Sequence, residues 1–310
     1  MAKILVTPRS LTKGGDPALD LLKEAGHQLV FCTPGKAPDE QELLGLVPGC
    51  AGWLAGVEKI TDAVLSHADC LKAISRNGTG VDSIDLAACE RRGIAVLRAE
   101  GANARGVAEL TVALALSLLR SVPFGDARMK TGGWERRQGT ELEGRTLGVV
   151  GTGRIGKLVT KFALAMDMRV LGFDAYPDSR YAPSPGFRYV QLEELLGSSD
   201  IVTLHCPHAP GEKPLIDAAA LARMKRGAVL VNTARGGLVD DAAVLAALQD
   251  GRLAGYGVDA YDKEPPGPSA LLAHDRVIAT PHIGAFTAES VSRATRVAVD
   301  NLLGALSSTR

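Results

Sequence analysis

Short apolar runs alternate with stretches whose apolar residues recur every three or four positions along nearly the whole chain. The short runs predict strands and the periodic stretches predict helices. Strands are expected first at Lys3–Thr7, Gln28–Cys32, Gly52–Ala55, Lys72–Ser75 and Ile94–Leu97, with helices at Pro17–Ala25, Asp39–Leu46, Thr61–Ser66 and Ser83–Arg92. A second series of strands follows at Thr146–Val150, Arg169–Asp174, Asp200–His205, Ala228–Asn232, Gly255–Asp259 and Val277–Ala279. Runs apolar on both faces suit parallel sheets covered by helices on both sides. Between the two series, Gly101–Lys130 reads as mostly helical with a break near Pro123, and a last helix runs from about Thr287 to Leu306.

This alternation predicts an α/β protein of two doubly wound parallel-sheet domains. The last helix can return to the first domain, so the expected domains are 1–98 plus 288–310, and 99–287, joined by helices with a cleft between them. A length of 310 residues suits two cores of this size.

Lys plus Arg equals Asp plus Glu at 35 each, which argues against a nucleic-acid partner held by bulk charge. No run approaches the ~18 apolar residues of a membrane span. Ala108 to Leu119 is interrupted by Glu109, Thr111 and Ser117 and is expected to be a buried helix. The N-terminus reads as a strand, not a signal peptide. Five scattered cysteines without Cys-x-x-Cys spacing are expected to be reduced thiols, which suggests a cytoplasmic protein.

Gly151-Thr152-Gly153-Arg154-Ile155-Gly156 lies between a predicted strand and a predicted helix, and Asp174 closes the next strand. This is the dinucleotide fingerprint. Gly151 makes the tight turn, Gly153 admits a pyrophosphate to the backbone, and Gly156 lets helix and strand pack closely. Amides at the helix start face the phosphates. Asp174 is expected to accept from the ribose hydroxyls and to repel a 2′-phosphate, favouring NAD over NADP.

Three later strands end in residues with chemistry to offer: Arg235, Glu264 and His282. Ligands of an open parallel sheet sit outside the carboxyl ends of its strands, so the three are expected to converge. A 2-hydroxy acid needs a guanidinium for its carboxylate or carbonyl oxygen, supplied by Arg235. It needs a base for its hydroxyl proton, supplied by His282. Glu264 would orient the imidazole and favour its protonated form.

With Ser75-Arg76-Asn77-Gly78-Thr79-Gly80-Val81-Asp82, the segment Gly139–Gly148, the fingerprint and the three strand ends, the chain resembles the D-isomer-specific 2-hydroxyacid dehydrogenase family over essentially its full length, and within it the 3-phosphoglycerate dehydrogenase branch. The resemblance implies a flavodoxin-like substrate domain, a Rossmann NAD domain, and Arg235, Glu264 and His282 as the catalytic trio. It gives the substrate carboxylate to the backbone of Asn77 and Gly78, with Arg76 beside them. It places NAD against Thr79, Arg154, Ile155, Asp174, Cys206, Thr233, Ala234, Asp259 and His282, with Asp259 reaching the nicotinamide amide. It also implies a homodimer through the NAD domain, for which the helix Ala108–Leu119 is a candidate surface. His205-Cys206-Pro207-His208 looks metal-like, but adjacent ligands at a strand end splay to opposite faces, so no metal is expected.

The chain departs from the branch at Ala55, where an arginine aimed at the substrate phosphate is expected. Arg76, Arg136 or Arg137 are candidate substitutes. A regulatory domain of longer members is also missing from the sequence. Glyoxylate, hydroxypyruvate or another sugar-derived acid therefore competes with 3-phosphoglycerate as substrate. Formate or phosphite oxidation fits less well, because formate dehydrogenases pair glutamine with the histidine. An NADH-sensing co-repressor of the same fold is a third alternative.

Overall fold

The computed structural model describes residues 1–13, 16–209 and 211–307. The chain divides into two compact units, Met1–Asn103 with Thr287–Arg310, and Ala104–Phe286. The first junction thus falls after Asn103, where the hydrophobic pattern puts it after residue 98. The final three residues of the expected 288–310 segment lie outside the described residues.

The first unit is a five-stranded parallel sheet of β1 (Lys3–Val6), β2 (Gln28–Phe31), β3 (Cys50–Ala55), β4 (Ala73–Arg76) and β5 (Ala95–Arg98), in the order β2-β1-β3-β4-β5. This is the flavodoxin-like order. Helices α1 (Pro17–Glu24), α2 (Glu40–Leu46), α3 (Asp62–Ser66) and α4 (Leu86–Arg91) each start at a side-chain oxygen that accepts from an early backbone amide: Asp16, Asp39, Thr61 and Asp85. Such caps set where a helix begins.

The second unit opens with α5 (Ala104–Leu119) and α6 (Val122–Lys130). The break between them falls at Arg120-Ser121, with Ser121 at φ 50°. Pro123 does not make the break; it sits in the first turn of α6, where its missing N–H costs nothing. The buried residues Ala108, Leu114 and Ala115 place α5 in the core of this unit, packed on the sheet. The apolar face proposed for a dimer is therefore largely internal.

Seven parallel strands follow: β6 (Thr146–Val150), β7 (Arg169–Phe173), β8 (Phe187–Tyr189), β9 (Ile201–Leu204), β10 (Ala228–Asn232), β11 (Leu253–Val258) and β12 (Val277–Ala279). Their order is β12-β11-β10-β9-β6-β7-β8, reversing between β6 and β9. Strand β8 is not anticipated by the hydrophobic pattern. The covering helices are α7 (Arg154–Ala165), α8 (Leu192–Ser198), α9 (Ala218–Arg223) and α10 (Asp241–Gln249), with Asp217 and Asp240 capping the last two.

The chain then re-enters the first unit as α11 (Ala288–Ser307). Its Ala298, Val299 and Leu302 are fully buried with Ile4, Val6 and Leu54. A methyl group at Gly52 of β3 would meet Leu306 at 3.2 Å and Leu302 at 3.3 Å, so strand and helix are in close contact. Among the described residues no single helix is long and apolar enough to cross a membrane.

Candidate active site

The glycine turn sits where the strand order reverses, the usual ligand position of an open parallel sheet. Gly151 has φ +91°, and a Cβ there would lie 2.6 Å from the backbone of His205 and Cys206 at the end of β9. A Cβ on Gly156 would lie 2.0 Å from Gly151 O, so α7 rests on its own turn. At Gly153 a Cβ would meet nothing within 4 Å. Gly153 is also the N-cap of α7 and offers no side-chain oxygen to it, unlike the caps of α1–α4, α9 and α10. Open space and uncapped amides at a helix start suit a pyrophosphate.

Asp174 follows β7. Its Oδ2 accepts from Thr152 N at 2.7 Å and Thr152 Oγ1 at 3.2 Å, and its Oδ1 from Tyr176 N at 2.9 Å. The carboxylate is thus held against the turn that would carry the phosphates. Burial pushes the Cys206 thiol up to about 11, aided by the nearby Asp174 charge, and pushes His205 down to about 3. Among the described residues no group of three or more His, Cys, Asp or Glu side chains is placed to hold a metal ion.

Strands β10, β11 and β12 are consecutive in the sheet, so the loops leaving their carboxyl ends are neighbours. Asn232, fully buried at the end of β10, shapes the first loop: its Oδ1 accepts from Ala234 N at 3.0 Å and its Nδ2 donates to Arg235 O at 2.8 Å. Arg235 Nη1 donates to Ala234 O at 2.8 Å. Thr233 Oγ1 lies 2.9 Å from Thr111 Oγ1 of α5. A Cβ on Gly236 would be 2.2 Å from Asp262 N, so the loop carrying Arg235 packs directly on the one leading to Glu264.

Glu264 and His282 meet: Oε1 of the carboxylate is 2.7 Å from Nδ1 of the ring and also accepts from Tyr261 N at 3.1 Å. Both side chains stay accessible, at 47% for His282 and 41% for Glu264. His282 has φ 51°, an uncommon conformation for a residue with a side chain. Asp259, 2% exposed at the end of β11, holds it there. Its Oδ1 accepts from Thr280 Oγ1 at 2.6 Å and Ile283 N at 2.8 Å, and its Oδ2 from Gly284 N at 2.8 Å. Three donors on both sides of His282 converge on one buried anion. The resemblance implies that Asp259 reaches the cofactor amide; its bonds to the histidine loop are not visible in the sequence. Asn232 and Thr111 escape sequence reading too, although a polar residue ending so apolar a strand as β10 is a signal.

The expected substrate loop belongs to the first unit. Asn77 N donates to Ala55 O at 2.9 Å and Gly78 N to Arg76 O at 2.8 Å. Both amides expected to hold the substrate carboxylate therefore already have internal acceptors, with which a carboxylate must compete. Arg76 Nη1 donates to Asn77 O at 2.7 Å, so the guanidinium braces this turn. Thr79 Oγ1 accepts from Asn103 Nδ2 at 3.3 Å.

Residues 112–284 match the model of the D-isomer specific 2-hydroxyacid dehydrogenase NAD-binding domain. The chain is similar to D-3-phosphoglycerate dehydrogenase of Rattus norvegicus, 38% identical over 276 residues that make up 88% of this chain and 51% of that protein. It is 41% identical to D-3-phosphoglycerate dehydrogenase of Methanocaldococcus jannaschii over 310 residues, 97% of this chain and 57% of that protein. The chain thus spans about half the length of these relatives. A Thermus thermophilus protein of known crystal structure superposes with a TM-score of 0.88 at 39% identity, covering 99% of this chain and 97% of that one. The chain belongs to the D-isomer specific 2-hydroxyacid dehydrogenase family, and its second unit carries that family's NAD-binding domain.

Proposed function

We propose that this chain is an NAD-dependent dehydrogenase interconverting a D-2-hydroxy acid and its 2-keto acid. The 2.7 Å pair of His282 and Glu264, accessible at the ends of neighbouring strands, carries the reading. NAD supplies the hydride acceptor or donor when bound, and the residues suited to hold it are the start of α7 and Asp174. Glu264 engages Nδ1, which leaves Nε2 as the ring nitrogen for the substrate. Nε2 takes the hydroxyl proton in oxidation and returns it to the carbonyl oxygen in reduction. Arg235 offers a planar pair of donors for carboxylate or carbonyl oxygen. Asp259 keeps the histidine loop in its left-handed turn, so the proton carrier is held in place before substrate arrives.

The curated relatives' name favours 3-phosphoglycerate as the hydroxy acid, whereas Ala55 favours an unphosphorylated acid such as glyoxylate or hydroxypyruvate. A homodimer through the second unit belongs to the same reading. Its support lies just beyond α5, where Val122, Met129 and Trp134 are exposed at 54%, 57% and 81%. A panel of 2-keto acids with NADH, phosphorylated and not, followed at the NADH absorbance, tests the activity. Oxidation of NADH with at least one member is expected, and none across the panel overturns it.

A further inference from the structure

Strand β8, at the edge of the second sheet, pairs with β7 so that Tyr189 lies opposite Gly172. Phe187 and Tyr189 alternate with Arg188 along the strand and so share a face. Their rings meet edge to face at 5.0 Å, and Tyr181 meets Phe187 in the same way at 5.2 Å. Tyr181 is tied in turn to α7: its hydroxyl donates to Lys157 O at 3.3 Å, and Lys157 Nζ lies 4.7 Å from its ring centroid. A Cβ on Gly172 would lie 2.9 Å from the Phe187 ring and 3.1 Å from Thr152 Cγ2. The bare glycine thus lets the aromatic strand and the glycine turn close over β7.

The hydroxyl of Tyr189 lies 3.0 Å from Thr152 Oγ1. Thr152 is only 4% exposed, and its Oγ1 donates to Asp174 Oδ2 at 3.2 Å beside the 2.7 Å bond from its own amide. A hydroxyl carries a single hydrogen. Thr152 directs its own to the carboxylate, so Tyr189 is the donor in the pair of hydroxyls. The bonds run from Tyr189 to Thr152 to Asp174, each donor pointing towards the next oxygen, and bonds in line strengthen one another. Accepting from Tyr189 keeps the Thr152 hydroxyl turned to Asp174.

Resting on the reading above that gives the cofactor to the start of α7 and Asp174, we propose that Tyr189 is a positioning residue of the cofactor site. Through Thr152 it holds the Asp174 carboxylate against the glycine turn. There the carboxylate accepts from the ribose hydroxyls of NAD and meets the 2′-phosphate of NADP with like charge. Tyr189 acts through Thr152 and needs no contact with the cofactor.

The test titrates NADH and NADPH against the full chain by the fluorescence of the reduced cofactor, which requires no substrate. Tyr189→Phe keeps the ring on Phe187 and removes only the hydroxyl. It is expected to raise the NADH dissociation constant about threefold and to narrow the ratio of the NADPH to the NADH constant by the same factor, the effect of one neutral hydrogen bond. In an Asp174→Ala background the same substitution is expected to change neither quantity, because its route to the cofactor is gone. A tyrosine that only supported the sheet would weaken both cofactors alike, in both backgrounds; either result overturns the proposal. So do unchanged constants in a folded Tyr189→Phe.

If Tyr189→Phe does not fold, the middle of the relay decides. Thr152→Val, which lacks the hydroxyl, is expected to bind NADH at least about threefold more weakly than Thr152→Ser, which keeps it, and equal affinities overturn the proposal. Asp174→Ala separates the two ways of failing. If it leaves the NADPH-to-NADH ratio at the wild-type value, the ribose role of Asp174 falls and the proposal with it. A ratio narrowed by Asp174→Ala but not by Tyr189→Phe removes the proposal alone.

Discussion

Two loops at the same edge of the second sheet are shaped by opposite means. The turn after β6 is built by omission: Gly151 and Gly156 leave no room for a methyl group, and the helix start carries no capping side chain. The loop after β12 is built by addition: the buried Asp259 gathers Thr280, Ile283 and Gly284 and holds His282 at φ 51°. The first leaves backbone amides open, as a phosphate site requires, and is insensitive to which proton sits where. The second presents one imidazole, and its whole worth lies in where that ring points. Binding a common cofactor suits the former and moving a proton suits the latter.

Substitutions sharpen the contrast. His282→Ala is expected to lower turnover about 10²–10⁴-fold with NAD affinity near that of the wild type; turnover close to wild type removes the histidine from the chemistry. Gly156→Ala drives a methyl group into Gly151 O, so a loss of about 3 kcal/mol or more and weakened NAD binding are expected, checked by denaturant melts and cofactor titration. Wild-type stability would mean that the helix start moves freely. Asp259→Asn leaves a buried amide donor without its acceptor and is expected to cost about 1–3 kcal/mol. It should lower kcat more than it weakens NAD binding; a reversed pattern would return Asp259 to a cofactor role. Asp174→Ala is expected to cut the preference for NAD over NADP about tenfold, which the ratio of kcat/KM for the two cofactors measures. The smallest effect expected is at Cys206: with its thiol raised to about 11, it should resist alkylation at neutral pH while the exposed Cys70 reacts, as mass spectrometry would report.

The comparison also explains what could be read in advance. Omission is visible in a sequence: three glycines between an apolar run and an amphipathic one announce their turn, and parallel strands buried on both faces announce themselves by length and composition. Addition is not visible. That Asp259 bonds the loop of His282 depends on β11 and β12 lying side by side, a fact of tertiary pairing. Strand β8 escaped because it is three residues at a sheet edge, after a stretch broken by Pro183 and Pro185. The break expected near Pro123 is present at Arg120-Ser121, with the proline marking the start of α6.

Helix α11 imposes an order on the making of the molecule. A ribosome delivers β1 long before the helix that covers Ile4 and Val6. The second unit is one continuous stretch, Ala104–Phe286, and can fold while synthesis continues. The part of one face of the first sheet that α1 does not cover must wait until α11 has emerged behind the whole of that stretch. That delay makes the first unit the slow and aggregation-exposed half of the newborn chain, and a suitable client for a chaperone during that interval.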